Sequence, residues 1–200
     1  KRKKFPLEKE KSHKILFNYL WKNFTFKEFI NERIGRYNRR IKLNNISNLI
    51  KKKKIVDFGC GHGNFIMSCV SFNPKECVGI DYGNDSIKYA NNVKKKLFPN
   101  KKITFLNRSV YKTKLKSNYF DFAIQNGVFH HLSNELKAYK EVHRVLKKNG
   151  YFWVYTCGGG GLKDFVSDLF RRILSKYDNK LIQQNLKYIG LSTNKAYYLG

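Results

Sequence analysis

Four short stretches of this 200-residue chain hold residue types able to do chemistry. The first is Asp57-Phe58-Gly59-Cys60-Gly61-His62-Gly63, a glycine loop entered from the apolar pair Ile55-Val56. Glycine has no Cβ, so a turn of this composition lets a ligand lie against the main chain; the alternatives are a purely structural turn and a dinucleotide site. The second is Asp81, which ends Cys77-Val78-Gly79-Ile80 and stands 22 residues after Gly59. An acidic side chain about 20 residues beyond such a loop meets the hydroxyls of a ribose, and two carboxylate oxygens suit two adjacent hydroxyl donors. The plainer reading is a turn or helix-capping residue, although Asp85 is already placed to cap the next helix. The third stretch is His130-His131, just past the apolar run that ends at Ile124. Either imidazole could act as a general base near neutral pH, or the pair is structural, with one ring turned from the cleft if a helix starts there. The fourth is Gly158-Gly159-Gly160-Gly161, a hinge or a cradle of N–H groups for an anion. His13 and His62 read as incidental and His143 as a surface residue. Cys60, Cys69, Cys77 and Cys157 form no CxxC pair and no Cys/His cluster, so no metal is expected.

These residues need a scaffold, and apolar periodicity supplies one. From residue 54 onward, short apolar runs alternate with amphipathic helical patterns, which predicts βαβ units and a parallel sheet. Strands are expected at 55–58, 77–81, 103–106, 120–124 and 151–155, with helices in the gaps between them. Ile87, Ala90, Val93 and Leu97 form one apolar stripe, and Leu136, Tyr139, Val142 and Val145 another. Asn149-Gly150 after Lys147-Lys148 reads as a helix stop that fixes the start of the fifth strand. Ahead of the sheet, Ile15 to Leu20 and Phe26 to Ile34 predict two short amphipathic helices, and a third spans about 38 to 52. After Cys157, Phe165, Val166, Leu169, Phe170 and Ile173 predict another helix, with a weaker one over 180–189.

Composition bounds the setting. A content of 42% hydrophobic and 16% aromatic residues fits a globular chain. The formal net charge is +27, and such a surface attracts nucleic acid, anionic lipid or acidic small molecules. Eighteen of the 41 Lys and Arg residues lie in the first 54 positions, against four of the 14 acidic residues. No apolar run reaches the roughly 18 residues of a membrane span, and no secretory signal is recognisable, so a soluble, cytoplasmic protein is expected. The start at Lys1 and the end at Gly200 suggest part of a longer chain.

The stretch from about 50 to 157 resembles the class I S-adenosylmethionine-dependent methyltransferase family, small-molecule type. Val56 to Gly63 is similar to its first motif, Val78-Gly79-Ile80-Asp81 to its second, and Tyr119 to Ile124 to its fourth, followed by the family-like Val142 to Gly150. The resemblance implies a Rossmann-like α/β fold with a mostly parallel sheet, helices on both faces, and N-terminal lid helices. It also implies S-adenosyl-L-methionine as cofactor, with S-adenosyl-L-homocysteine as product. Asp57, Gly59 and Gly61 would line the methionine end, Asp81 the ribose, and Tyr82 the adenine. Asn126 and Gly127 would border the reacting sulfonium, and Cys60 and Val110 complete the expected contacts. Where the family often has an acidic residue near the adenine, this chain reads Asn107-Arg108-Ser109-Val110, leaving Ser109 as acceptor.

The expected function is in-line methyl transfer to a small-molecule acceptor, with His130 or His131 as candidate catalytic residues. The alternative is an RNA- or protein-directed methyltransferase that uses the basic front segment. Against nucleic acid, Gln125-Asn126-Gly127-Val128 is not the Asn/Asp-Pro-Pro-Tyr/Phe pattern of base amino methyltransferases, and no Cys of the cytosine-C5 type is evident. A non-catalytic protein that keeps only the fold ranks last, because the cofactor motifs are intact. The expected organisation is a basic helical lid over 1–52, a cofactor-binding core over 53–157, and a helical cap over 158–200. The family's sixth and seventh strands are expected to be missing.

Overall fold

Each expected strand has a short run containing β-branched or aromatic residues. The computed structural model describes residues 29–156 and 160–174, with isolated positions up to 188. The strands are β1 (Lys54–Phe58), β2 (Glu76–Asp81), β3 (Ile103–Asn107), β4 (Phe120–Asn126) and β5 (Leu146–Tyr155). They pair in the order β3-β2-β1-β4-β5, all parallel, so the five-stranded α/β sheet inferred from sequence is present. Among the described residues no strand follows β5, and the outer strand carries the exposed side chains Tyr151, Val154 and Tyr155.

Alternation along the strands sends side chains to two apolar layers. Ile55, Cys77, Phe105, Phe122 and Ile124 face the layer covered by α1 (Gly35–Leu43), α2 (Asn64–Cys69) and α3 (Asn84–Leu97). Val56, Phe58, Val78 and Ile80 face the other, covered by α4 (Glu135–Val145) through Ala138, Val142 and Val145. The stripe Ile87, Ala90 and Val93 of α3 is buried as its spacing predicts.

Four expectations change. The helix expected over 38–52 ends at Leu43, because Asn44 turns its side-chain amide onto the Arg40 carbonyl and Asn45 takes a left-handed φ of 53°. Leu136 is 64% exposed rather than part of the buried stripe of α4, which centres on Ala138, Val142 and Val145. The gap between β3 and β4 holds no helix. Residues 113–117 are fastened instead to α4: Glu141 accepts from the Thr113 amide and hydroxyl, and Arg144 donates to the Leu115 carbonyl and the Ser117 hydroxyl. Finally, α4 stops at Val145, with the basic residues His143 and Arg144 in its last turn, and Leu146 already pairs with Phe120. Residues 147–150 bulge from the ladder, Asn149 with φ 65°, before Tyr151 pairs with Phe122.

Of the front helices, that over 15–20 lies outside the described residues, and the next is described only as a π-helix over Phe29–Ile34. By internal contacts the chain forms two compact units, residues 1–156 and 157–200, and the second contains α5 (Leu162–Leu174) at the expected position. Most of the weaker helix over 180–189 falls outside the described residues. Among the described residues no helix is long and apolar enough to cross a membrane.

Candidate functional site

The carboxyl ends of β1, β2 and β4 bring the glycine loop, Asp81 and Asn126 to one edge of the sheet. Gly59 (φ 80°) and Gly61 (φ 52°) both hold left-handed backbone, where an L side chain is strained. A Cβ on Gly59 would sit 2.5 Å from Val128, whereas one on Gly61 would meet nothing within 4 Å. Gly59 is therefore fixed by packing, and Gly61 presents bare main chain to open space. The loop is clamped to β2, since the amides of Gly59 and Cys60 both donate to the Ile80 carbonyl, at 2.7 and 2.9 Å.

Asp81 ties this loop to the next. Its carboxylate accepts from the Gly61 amide at 2.8 Å and from the Gly83 amide at 2.7 Å, one bond to each oxygen. Asp57 differs: it is 3% exposed, and its Oδ1 is buried without a hydrogen-bond partner. Burial, reinforced by the Asp81 charge, lifts its carboxyl from the ordinary carboxylate range to about 8. An acceptor left in this state suits a cationic or N–H donor group.

A third component comes from α1, far away in sequence. Arg40 donates to the Asn126 side-chain oxygen at 3.2 Å and lies 4.5 Å over the Tyr155 ring. The Asn126 amide donates to the Tyr37 hydroxyl, and Tyr37 packs edge-on against Phe65. Burial, and secondarily the Asp57 charge, raises the Tyr37 phenol. Neither Tyr37 nor Arg40 stood out in the sequence. Gln125 was also missed: fully buried, it accepts from the amides of Val128 and Phe129 and donates to the Tyr155 carbonyl. It thereby shapes the turn that carries Asn126 and Gly127.

His130 and His131 occupy a 3₁₀ turn over Phe129–His131. Their rings lie 3.9 Å apart rather than diverging as a longer helix would require, and His130 Nδ1 is 3.3 Å from the Thr156 hydroxyl. Gly127 faces this ring, for a Cβ there would be 3.9 Å from both His130 and Tyr155. Other expected positions divide. Tyr82 is 67% exposed beside Asp81, while Val110 is buried in the second apolar layer. Ser109 accepts from the Tyr111 amide at 3.2 Å. Cys60 is buried, its thiol raised well above the usual range first by burial and then by Asp57. His62 is a core residue against Tyr89, lowered to about 4 by burial and then by Arg33. No group of three or more His, Cys, Asp or Glu able to hold a metal occurs among the described residues.

The edge thus offers hydroxyl acceptors at Asp81, open main chain at Gly61, an exposed ring at Tyr82 and an unsatisfied acidic oxygen at Asp57. This donor and acceptor set fits a nucleoside joined to an amino-acid tail. A family model described as a methyltransferase domain matches residues 49–197. The chain is 27% identical over 155 residues to the sterol 24-C-methyltransferase of Candida albicans, covering 72% of this chain and 41% of that protein. It is 26% identical over 174 residues to the protein-lysine N-methyltransferase EFM4 of Saccharomyces cerevisiae, covering 80% and 68%. The chain thus spans under half the length of the first of these relatives. Its fold is similar to that of Haemonchus contortus phosphoethanolamine N-methyltransferase 1, solved with phosphoethanolamine and S-adenosylhomocysteine, with a TM-score of 0.61 and 16% identity over 77% of this chain and 34% of that one.

Proposed function

Because the chain belongs to the methyltransferase-domain family, the class I S-adenosylmethionine-dependent enzymes with a Rossmann-like fold, we propose that it transfers a methyl group in line to a small-molecule acceptor. The cofactor supplies an already activated sulfonium methyl group, so the protein's own task is alignment and exclusion of water. In this reading Asp81 receives the ribose hydroxyls, Gly61 lies against the cofactor, Asp57 receives the α-ammonium, and Tyr82 borders the adenine with Ser109. Asn126 and Gly127 border the reacting end, and His130, next to Gly127, takes the acceptor's proton with His131 as its neighbour.

The observation that carries the small-molecule reading is the Tyr37–Asn126–Arg40 contact. It lays a helix across the end of β4 and leaves an aromatic and cationic wall beside the reacting position, the composition of a small-molecule pocket. The relation to a sterol methyltransferase supports the same class. The relation to EFM4 favours a protein acceptor as the second reading.

Titration calorimetry with S-adenosylhomocysteine comes first: the chain should bind it, and Asp81→Ala should weaken binding by about 100-fold, a loss of roughly 2–3 kcal/mol. The enzyme is then supplied with labelled S-adenosylmethionine and a cell extract split by size. Label should enter the low-molecular-weight fraction. Label confined to protein would replace the small-molecule reading with the second one, and failure of a folded chain to bind either nucleoside would remove both.

A further inference from the structure

In an all-parallel sheet every strand starts at the same edge, so the residues that lead into the strands are gathered on one face. Here those residues are lysines. Lys51, Lys52 and Lys53 lead into β1, Lys75 into β2, Lys101 and Lys102 into β3, and Lys116 into β4, while Lys147 and Lys148 sit in the bulge of β5. Helix α3 runs back to the same edge and ends there with Lys94 and Lys95. All of these but Lys94, which is half-buried, are exposed.

The acids on this edge do not cancel the charge. Glu76 is held by Lys102 at 3.4 Å and by the Tyr119 hydroxyl at 2.8 Å. Asp121 is held by Lys147 at 2.7 Å and by the Lys54 amide at 2.8 Å. The carboxyl edge is of mixed sign by contrast: Asp81, Asp85 and Glu135 alternate with Lys88, Arg108 and Lys137. The basic face is therefore separate from the cofactor edge by the length of the strands, five to seven residues at about 3.3 Å each, or roughly 17–23 Å.

We propose that this lysine edge docks the phosphodiester backbone of a nucleic acid, anchoring the enzyme with its cofactor edge turned outward. Five strands at about 4.8 Å spacing span roughly 19 Å, over which a duplex carries about eleven charges at one per 1.7 Å of axis. Lysine contributes point charges without the planar fork that reads base edges, so binding is independent of sequence. An anionic bilayer fits the edge less well. Interfacial binding needs an apolar group to insert, and among the exposed residues that lead into the strands here lysines prevail, with Tyr151 of β5 beside them.

The test uses the full chain and mixed-sequence RNA and DNA duplexes of about two to three helical turns, with affinity followed between about 50 and 200 mM salt. Log affinity should fall with log salt, and the quadruple variant Lys51→Ala, Lys53→Ala, Lys75→Ala, Lys101→Ala should shallow that slope by about three to four. The matching Lys→Arg set should keep the slope, and Lys88→Ala with Lys137→Ala, on the other edge, should leave it unchanged. The two duplexes compared show whether RNA or DNA is the preferred source of the backbone. Equal losses from both alanine sets, a salt-independent affinity, or binding to vesicles with about 30% phosphatidylserine but to neither duplex would overturn the proposal.

Discussion

Replacing Asp57 by asparagine removes one ionisable group from the middle of the sheet and leaves its shape almost unchanged. The group is 3% exposed, its Oδ1 has no hydrogen-bond partner, and its folded carboxyl titrates near 8 against 3.8 for the free side chain. This is the reverse of the usual aspartate. Between about pH 4 and 8 the folded protein keeps a proton that the unfolded chain has released, so stability is highest below the unfolded pKa and falls as pH rises toward 8. The limiting slope is about 1.4 kcal/mol per pH unit, or roughly 4 kcal/mol between about pH 5 and pH 8. Relaxation of the surroundings lowers this to about 2 kcal/mol. Asparagine carries no charge at any of these values, so the stability of Asp57→Asn relative to the native chain should climb by that amount over the interval. Above about pH 8 the difference should level off. Urea denaturation of both proteins at several values across the range measures it directly. If the two stability curves run parallel, Asp57 ionises in the folded protein as freely as in the unfolded one, and the desolvation argued from its burial is refuted.

Other consequences can be checked one residue at a time. Gln125→Leu keeps the volume but strands the amides of Val128 and Phe129, while the Tyr155 carbonyl keeps the Gly127 amide, and should cost about 2–4 kcal/mol in denaturant midpoint analysis. Glu141→Gln weakens the contacts with Arg144 and Thr113, and amide exchange should rise across 113–117 more than elsewhere in the sheet unit. Glu141 is held down to about 2, first by the Arg144 hydrogen bond, so its share of stability is present above about pH 4.5 and disappears as pH falls through 2. The Gln variant should remove that dependence. Arg40→Met keeps the apolar stem against Tyr155 while deleting the bond to Asn126, and should lower kcat/KM for the acceptor by about 10-fold with less than about 1 kcal/mol of stability change. An equal loss of folding stability would make the contact structural.

How much of the molecule was legible in its sequence depends on how local each cause is. The strands were legible because a buried parallel strand needs a short, mostly apolar run, and such runs recur here between amphipathic helical patterns. The gathering of Gly59, Gly61 and Asp81 at one edge, which we propose holds the cofactor, was legible because main-chain geometry at a fixed spacing places them. The helix expected between β3 and β4 failed for a nonlocal reason: Thr113, Leu115 and Ser117 direct their hydrogen bonds to Glu141 and Arg144, more than twenty residues away. Tyr37 and Arg40 were invisible for the same reason on a larger scale, since their partner Asn126 lies more than eighty residues later. A tyrosine and an arginine on an exposed-looking basic helix have no periodic signature that separates them from Arg36 or Arg39. The constellation proposed to border the acceptor is thus assembled from contacts between elements, whereas the one proposed to hold the cofactor is written along the turns of the sheet itself. That division accounts for a chain whose family can be read from its motifs while the acceptor site proposed beside Asn126 cannot.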